Sequence, residues 1–243
     1  MTAVTVLFAF AFYAAAAVLV YGVYAKVRQY WMTPAPLKIP TTPAPVTTRG
    51  MVMRMGREVV LFESLFKSSK WTWIFGWLFH AALLLVAIRH LRYVTEPVWQ
   101  VSAWLQSFGL YAGFAMVVGL GGLLVRRICV NRVRYISAPS DYLMLLLLLG
   151  LAGTGLAMKY VAATDIVALK AFMLGLVRFD WHPLPADAVL LAHLSMVVLL
   201  MLIFPFSKLL HAPGVFFSPT RNQVDDSRER RHLSAWARQL ERR

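Results

Sequence analysis

The sequence predicts an all-α integral membrane protein with five transmembrane helices, its N-terminus periplasmic and its C-terminus cytoplasmic. Its composition argues against a soluble domain, because 59% of the 243 residues are hydrophobic and only 15% are charged. Five apolar runs reach the roughly 20 residues that cross the hydrocarbon core of a bilayer. The basic residues gather in alternate loops, and this asymmetry predicts the orientation.

The predicted spans are residues 4–24, 71–91, 101–125, 142–163 and 186–210. The first run has no basic segment before it and is followed by Lys26 and Arg28, so it is interpreted as a retained anchor and not as a cleaved signal peptide. The chain then divides into four parts: a first transmembrane helix (1–26), a cytoplasmic Pro-rich linker with a basic amphipathic segment (27–70), a four-helix core (71–211) and a basic cytoplasmic tail (212–243). The stretch 51–70 favours a helix on the membrane surface or under a partner subunit.

The basic residues fall on one side of the predicted membrane. The formal net charge is +14, and 20 of the 25 Lys and Arg residues lie between the first and second spans, between the third and fourth, or from Lys208 onward. This pattern follows the positive-inside rule and places those segments in the cytoplasm. The charge therefore requires no nucleic acid as a partner, and we expect a multi-pass protein of the bacterial inner membrane in contact with lipid.

The cysteine content limits the disulfides and redox cofactors that this chain can hold by itself. Cys129 is the single cysteine of the chain. It excludes an intrachain disulfide, an iron–sulfur cluster held by this chain's thiolates and a covalent Cys-x-x-Cys-His haem site. Any iron–sulfur chemistry must belong to another chain.

Four of the six histidines lie within or at the ends of two predicted spans. His80 and His90 belong to the second span, and His193 and His211 to the fifth. Ionisable side chains at membrane depth are costly and are functional candidates by default. The two spans are antiparallel, so His80 is expected to face His211 near the cytoplasmic side and His90 to face His193 near the periplasmic side. Two histidines fill both axial positions of a haem iron, which predicts two haem b groups that transfer electrons.

The helical spacings of these pairs do not match. At ~1.5 Å per residue, about 27 Å of axial distance separate His193 from His211, whereas about 15 Å separate His80 from His90. Helix tilt and a kink at Pro205 are expected to absorb the difference. The pairing is therefore predicted from the antiparallel direction of the two spans and not from the axial distances between the histidines.

Three sequence stretches carry a resemblance to a known family. Leu202-IFPFSKLLHAPG, Gly121-GLLVRRICVNRVR with Ser140-DYLMLLLLLGLAGTGLAM, and the 10- and 18-residue histidine spacings resemble the gamma subunit of respiratory nitrate reductase, a five-helix di-haem cytochrome b. Within that superfamily, Leu65-FKSSKWTWIFGWLFHAALLLVAIRHLRY and the Pro-rich insertion before it are more similar to the DsrM-type membrane cytochrome of the sulfite-reduction-associated Dsr complex. The resemblance covers about residues 60–215. It implies electron exchange between a membrane quinol, menaquinol or ubiquinol, and a cytoplasmic iron–sulfur subunit.

Five further side chains are candidates for cofactor binding. Arg126 and Arg127 close the third span at the cytoplasmic face, where they either pair with a haem propionate or only follow the positive-inside rule. Arg89, Arg92 and Tyr93 flank His90 on the side where arginine is scarce. They either hold a propionate or a quinone carbonyl, or the arginines extend their charged ends toward the interface.

Two functions of other classes remain open from the sequence. A transporter or proton relay would use the histidines as titrating groups, although the cores of the spans lack acidic residues and the chain lacks paired broken helices. A haem-free membrane anchor would use them as hydrogen-bonding groups between helices. The sequence assigns no catalytic residue, and it does not fix the direction of electron flow, the quinone or the terminal redox partner.

Overall fold

The computed structural model describes residues 1–226 and 239–240. Residues 227–238 and 241–243 of the basic tail (212–243) lie outside the described residues, and with them most of the segment 228–241, for which the sequence favours a weak helix.

Twelve α-helices occur in the described part of the chain. They are α1 (Ala3–Met32), α2 (Thr48–Leu61), α3 (Glu63–Ser68), α4 (Lys70–His90), α5 (Gln100–Trp104), α6 (Gln106–Cys129), α7 (Asn131–Tyr135), α8 (Pro139–Tyr160), α9 (Ile166–Arg178), α10 (Ala188–Ile203), α11 (His211–Gly214) and α12 (Pro219–Asn222). No strand is found in this part of the chain.

Five of the helical segments are long and apolar enough to cross a membrane, which confirms the predicted class of an all-α integral membrane protein. They are Ala3–Met32, Lys70–Tyr93, Gln106–Cys129, Pro139–Tyr160 and Ala188–Phe206. The first is longer than predicted because its helix continues beyond the apolar run through the basic stretch Ala25-KVRQYWM. The third begins later, because residues 100–104 form the separate short helix α5.

The chain forms two compact units, of which the first contains residues 1–19 and 65–203. Within it the long helices pack in chain order, α4 on α6, α6 on α8 and α8 on α10. A core between α4, α6 and α8 includes Phe79, Met116, Leu120 and Leu148. Short connections between consecutive membrane helices reverse the chain each time, so α4 and α10 run in opposite directions.

The contact between α4 and α6 depends on glycine. A Cβ atom on Gly119 would lie 2.8 Å from the backbone nitrogen of Phe79 and 2.9 Å from the carbonyl oxygen of Phe75. Any side chain there would push the two backbones apart. Small residues allow this close approach between membrane helices, where van der Waals packing supplies much of the association energy.

The helix α9, which was not predicted from the sequence, lies between α8 and α10 in the chain. Asp165 begins α9 by accepting hydrogen bonds from the backbone N–H groups of Val167 and Ala168, and Phe179 ends it in the left-handed conformation with φ 59°. Its apolar face, with Phe172 fully buried, packs into a second core that also contains Ala9, Phe12 and Leu190. The segment 164–185, which connects the fourth and fifth predicted spans and has no predicted helix, is therefore mostly helical and contributes to the core.

The second unit contains residues 20–64 and the chain from Phe204 onward. Thr47 caps α2 by accepting a hydrogen bond from Gly50 N. Glu58 of α2 accepts from Arg221 and from Ser64, and this network joins α2 to the segment around α12. The prediction of a helix within 51–70 is confirmed in type, although the left-handed Phe62 divides it into α2 and α3.

The fifth span ends in a break at Pro205. The α-helix stops at Ile203, and two 3₁₀ turns, Phe204–Phe206 and Lys208–Leu210, precede α11. Proline has no N–H to continue the helical ladder, and Ser207 starts the next turn by accepting from Leu209 N. His211 is the first residue of α11, so it does not continue the helix that carries His193. The spacing of about 27 Å assumes one unbroken helix between His193 and His211, and the chain does not form one there.

Candidate cofactor site around the membrane histidines

Both histidines of α4 are hydrogen-bonded to their own helix. His80 Nδ1 donates to the Gly76 carbonyl oxygen at 2.7 Å, and His90 Nδ1 donates to the Val86 carbonyl oxygen at 2.7 Å. A backbone carbonyl can only accept, so each Nδ1 carries the proton. In a neutral imidazole the lone pair is then on Nε2.

His193 is held by a neighbouring helix. Its Nδ1 lies 2.9 Å from the hydroxyl oxygen of Thr154 on α8. That hydroxyl donates its own proton to the Gly150 carbonyl oxygen at 2.7 Å. The Thr154 oxygen therefore accepts from His193 Nδ1, and Nε2 again has the lone pair.

His211 follows the same pattern in the second unit. Its Nδ1 donates to the Lys208 carbonyl oxygen at 2.8 Å. All four membrane histidines thus have a protonated Nδ1 and a basic Nε2. An imidazole that binds a metal through one nitrogen usually donates a hydrogen bond from the other, which fixes the tautomer and the ring orientation. The donor set fits axial ligation of haem iron.

His90 and His193 belong to the same unit. His90 is in the last turn of α4 and His193 in the second turn of the oppositely directed α10, so both lie on one side of the membrane helices. His80 belongs to the first unit and His211 to the second. The assignment of the four histidines as two ligand pairs stays a prediction.

The side chains around His90 differ in their contacts. The Arg89 guanidinium donates to the Gly109 carbonyl oxygen at 3.0 Å, which ties α4 to α6. Arg92 and Tyr93 lie in the 3₁₀ turn that follows His90. The Tyr93 ring is edge-on to the His90 ring at 5.8 Å, and the Arg92 guanidinium carbon is 5.9 Å from the Tyr93 centroid. Arg92 and Tyr93 are therefore next to a candidate ligand.

A cleft of about 290 Å³ lies close to this turn. Charged and titratable side chains line it, with an ion pair of 3.5 Å between Arg178 and Glu96; the others are Lys170, Asp180 and His182. The cleft offers polar groups on the side of His90 where the sequence analysis expected quinone chemistry. His182 Nε2 is 3.7 Å from Asp180 Oδ2.

The start of α10, which positions His193, is held by Asp187. Its carboxylate accepts from the Thr164 hydroxyl and from Val189 N. The hydrogen bond from Thr164 is the main cause that lowers the pKa of Asp187 below its usual value, and the backbone N–H groups of Val189 and Leu190 act in the same direction. The anionic carboxylate also matches the positive end of the helix dipole.

Arg126 and Arg127 occupy the last turn of α6, as predicted. Arg127 Nη1 donates to Ser137 Oγ at 2.6 Å and pairs with Asp141 Oδ2 at 3.2 Å. The same carboxylate accepts from Ala138 N and caps α8. Arg127 therefore joins α6 to the start of α8 in addition to any role toward a cofactor.

The fold and these contacts define a class of protein: a multi-pass membrane protein in which four histidines of the long helices and the segment after them each donate a hydrogen bond from Nδ1. A match to the family model for the nitrate reductase gamma subunit covers residues 46–225, and the chain belongs to this family. Two archaeal relatives are each named "Hdr-like menaquinol oxidoreductase cytochrome b-like subunit". The protein of Archaeoglobus fulgidus is 35% identical over 92% of this chain and 81% of its own. That of Archaeoglobus profundus is 33% identical over 90% and 79%.

A third relative is the respiratory nitrate reductase 1 gamma chain of Escherichia coli. It is 29% identical over 55% of this chain and 68% of its own length. The family resemblance inferred from the histidine spacings and from the stretch around Arg126 is therefore confirmed.

One polar contact of the site was missed from the sequence. Thr154 stands in an apolar helix between two glycines, and nothing in its own helical pattern indicates a partner on α10. The signal that was available is the Thr154 hydroxyl itself. It lies about one third of the way along its membrane helix from the C-terminal end, and the following membrane helix carries His193.

Proposed function

We propose that the chain is a membrane di-haem b subunit that passes electrons between a membrane quinol and a cytoplasmic iron–sulfur partner. The observation that carries the proposal is the shared state of the four membrane histidines, each with Nδ1 protonated and Nε2 basic. The family and the relatives named as cytochrome b-like subunits of a menaquinol oxidoreductase support a membrane subunit of quinol-linked electron transfer.

Haem b, when bound, supplies a one-electron redox couple. The protein provides one imidazole from α4 and one from the α10–α11 segment for each iron, His90 with His193 and His80 with His211. Within residues 1–226 and 239–240, no group of three or more His, Cys, Asp and Glu side chains lies close enough to hold a metal ion. A porphyrin contributes four nitrogens itself and takes two histidines from the protein.

The positions of the ligands on α4 place the two redox groups at different depths. His80 and His90 are 10 residues apart, which is about 15 Å along the helix axis. Bis-histidine ligation leaves the iron no position open to oxygen or substrate. The chain therefore conducts electrons through the membrane, and the potentials of its two partners decide the direction.

We place the exchange with quinol beside His90. Arg92 and Tyr93 are hydrogen-bond donors next to that ring, and the charged cleft lined by Glu96 and His182 offers groups that can carry protons to water. Arg89 contributes through its bond to Gly109 and its remaining N–H groups. The names of the archaeal relatives favour menaquinol over ubiquinol as the substrate.

The opposite face is assigned to the soluble partner. Arg126 and Arg127 are expected to meet the propionates of the haem ligated by His80 and His211. The family resemblance implies an iron–sulfur subunit as this partner, and its cluster must be held by the partner's own ligands, because Cys129 alone cannot ligate one. A Dsr-type sulfur-metabolism complex is the leading assignment. The match to the Escherichia coli gamma chain supports a nitrate reductase gamma-type subunit as the second candidate.

The reduced-minus-oxidised visible spectrum of the purified subunit tests the function. We expect the bands of low-spin b-type haem, with two haems per chain in a pyridine haemochromogen assay, and stepwise reduction by a menaquinol analogue. Protein that is colourless after expression with an ample haem supply would contradict the proposal. It would leave the proton relay or the haem-free anchor as the function.

Reporter fusions test the orientation that decides which haem meets which partner. The positive-inside pattern predicts that fusions within residues 26–70 and after His211 are active with a cytoplasmic reporter. Fusions within 164–185 are predicted to be active with a periplasmic reporter. A periplasmic signal after His211 would reverse the orientation and move the quinol site to the cytoplasmic side.

A further inference from the structure

The hydroxyl of Thr154 joins two membrane helices at the imidazole of His193. Thr154 is on α8 and His193 on α10, 39 residues apart in sequence, and Oγ1 and Nδ1 are 2.9 Å apart. Both helices belong to the first unit and pack on each other. The bond is therefore a tertiary contact and not a by-product of helix geometry.

The hydroxyl can act toward the ring only as an acceptor. Its proton goes to the Gly150 carbonyl oxygen at 2.7 Å, with the Leu151 carbonyl oxygen at 3.3 Å as a second acceptor. A hydroxyl that donates in this way is polarised and accepts more strongly. The Nδ1 proton of His193 thus faces a defined lone pair.

His193 differs in this respect from the other three histidines. His80, His90 and His211 each donate from Nδ1 to a carbonyl of their own helical segment, three or four residues earlier. His193 takes its acceptor from α8, the Thr154 hydroxyl. The ring also lies against α8 at Gly155, where an added Cβ would be 3.7 Å from His193 Cε1. Its rotation is therefore set by α8.

We propose that Thr154 is a positioning residue that fixes the tautomer and rotation of His193 and tunes the haem that His193 ligates. The inference rests on the proposed ligation of haem by His193. An acceptor on Nδ1–H raises the basicity of the nitrogen that binds the metal. A more basic ligand stabilises ferric over ferrous iron, so the Thr154 bond lowers the midpoint potential of this haem.

Thr154→Val tests the role because valine keeps the branched shape and removes the hydroxyl. We expect both haems to be retained and the potential of the His90–His193 haem to rise by about 30–60 mV. This is a three- to tenfold change in the ratio of oxidised to reduced haem, at 59 mV per tenfold for a one-electron couple. Without the acceptor that fixes it, the His193 ring is free to rotate, so the low-spin ferric EPR signal of this haem should also change.

Three comparisons separate positioning from packing. Thr154→Ser keeps a hydroxyl and should restore the wild-type potential and EPR signal. Ser195→Ala removes a hydroxyl that bonds only to the Leu191 carbonyl of its own helix, at 2.8 Å, and should change neither. The His80–His211 haem of the same sample should keep its potential in all three variants and serves as the internal reference.

The outcomes are distinguishable. Unchanged potential and EPR in Thr154→Val would reject the positioning role and leave the proposed function intact. Equal shifts in Thr154→Val and Thr154→Ser would also reject it, because the shift would then not depend on the presence of the hydroxyl. If Thr154→Val loses the haem altogether, wild-type behaviour of Thr154→Ser supports the role. A haem content that does not depend on His193 at all would reject the proposed function itself.

Discussion

Replacing His90 or His193 with alanine is expected to remove the same haem and to lower the haem content from two per chain to one. Each iron depends on two imidazoles, so loss of either ligand breaks the site while the other haem keeps both of its ligands. The positions of His90 in the last turn of α4 and of His193 in the second turn of the oppositely directed α10, within one unit, support this pair. His80→Ala and His211→Ala should form the second pair, with the loss of the other haem. The measurement is the haemochromogen content together with a redox titration that identifies the haem that remains.

The control for this series is His182→Ala. His182 lies outside the membrane helices, between α9 and α10, so both haems should remain. The pairing would be overturned if His80→Ala and His193→Ala left the same haem, while His80→Ala and His211→Ala left different ones. Such a result would show that ligands are exchanged between the pairs and would remove the basis for placing one haem at each face.

Much of the fold was predictable because apolar runs of the right length follow directly from bilayer thickness. The five spans and the helical type of 51–70 needed no tertiary information. The ends were less predictable: α1 continues eight residues past Tyr24, since Ala25-KVRQYWM forms helix as readily as the apolar run. The break after Ile203 was anticipated only as a kink, because the sequence shows the missing N–H of Pro205 but not the cap that Ser207 supplies.

Tertiary contacts account for what the sequence did not show. The helix α9 was not predicted because its apolar segment is short and is flanked by Asp, Pro and His. The burial of Phe172 also depends on α1 and α10, which the sequence does not show. Thr154 was missed for the same reason, since its partner is 39 residues away. The candidate ligands were accessible from the sequence because a histidine at membrane depth is rare, whereas the hydrogen bonds that orient each ring were not.

Arg92→Gln and Tyr93→Phe are expected to slow reduction of both haems by quinol. Tyr93→Phe removes the hydroxyl donor of the ring that contacts His90, and Arg92→Gln replaces the charged guanidinium beside Tyr93 with a neutral amide. Neither substitution touches a proposed iron ligand. A hydrogen bond that involves a charged group contributes about 1.5–3 kcal/mol, so Arg92→Gln should reduce the rate roughly 10–100-fold, and Tyr93→Phe by less. Dithionite-reduced spectra should stay as in the wild type. The measurement is stopped-flow reduction by a menaquinol analogue, followed at both haems.

A second cation and tyrosine pair on the same side of the helices supplies the control. Lys159 Nζ lies 4.9 Å from the centroid of the Tyr160 ring at the end of α8, which runs in the same direction as α4. Lys159→Gln and Tyr160→Phe make the same chemical changes away from His90, so they should leave quinol-driven reduction unchanged. Equal slowing in both pairs would point to the charge of the membrane face and not to a site beside His90. Loss of quinol activity only on substitution around His80 or Arg127 would move quinol chemistry to the other face. In that case proton release and electron delivery would occur on the same side, and turnover would no longer build a membrane potential.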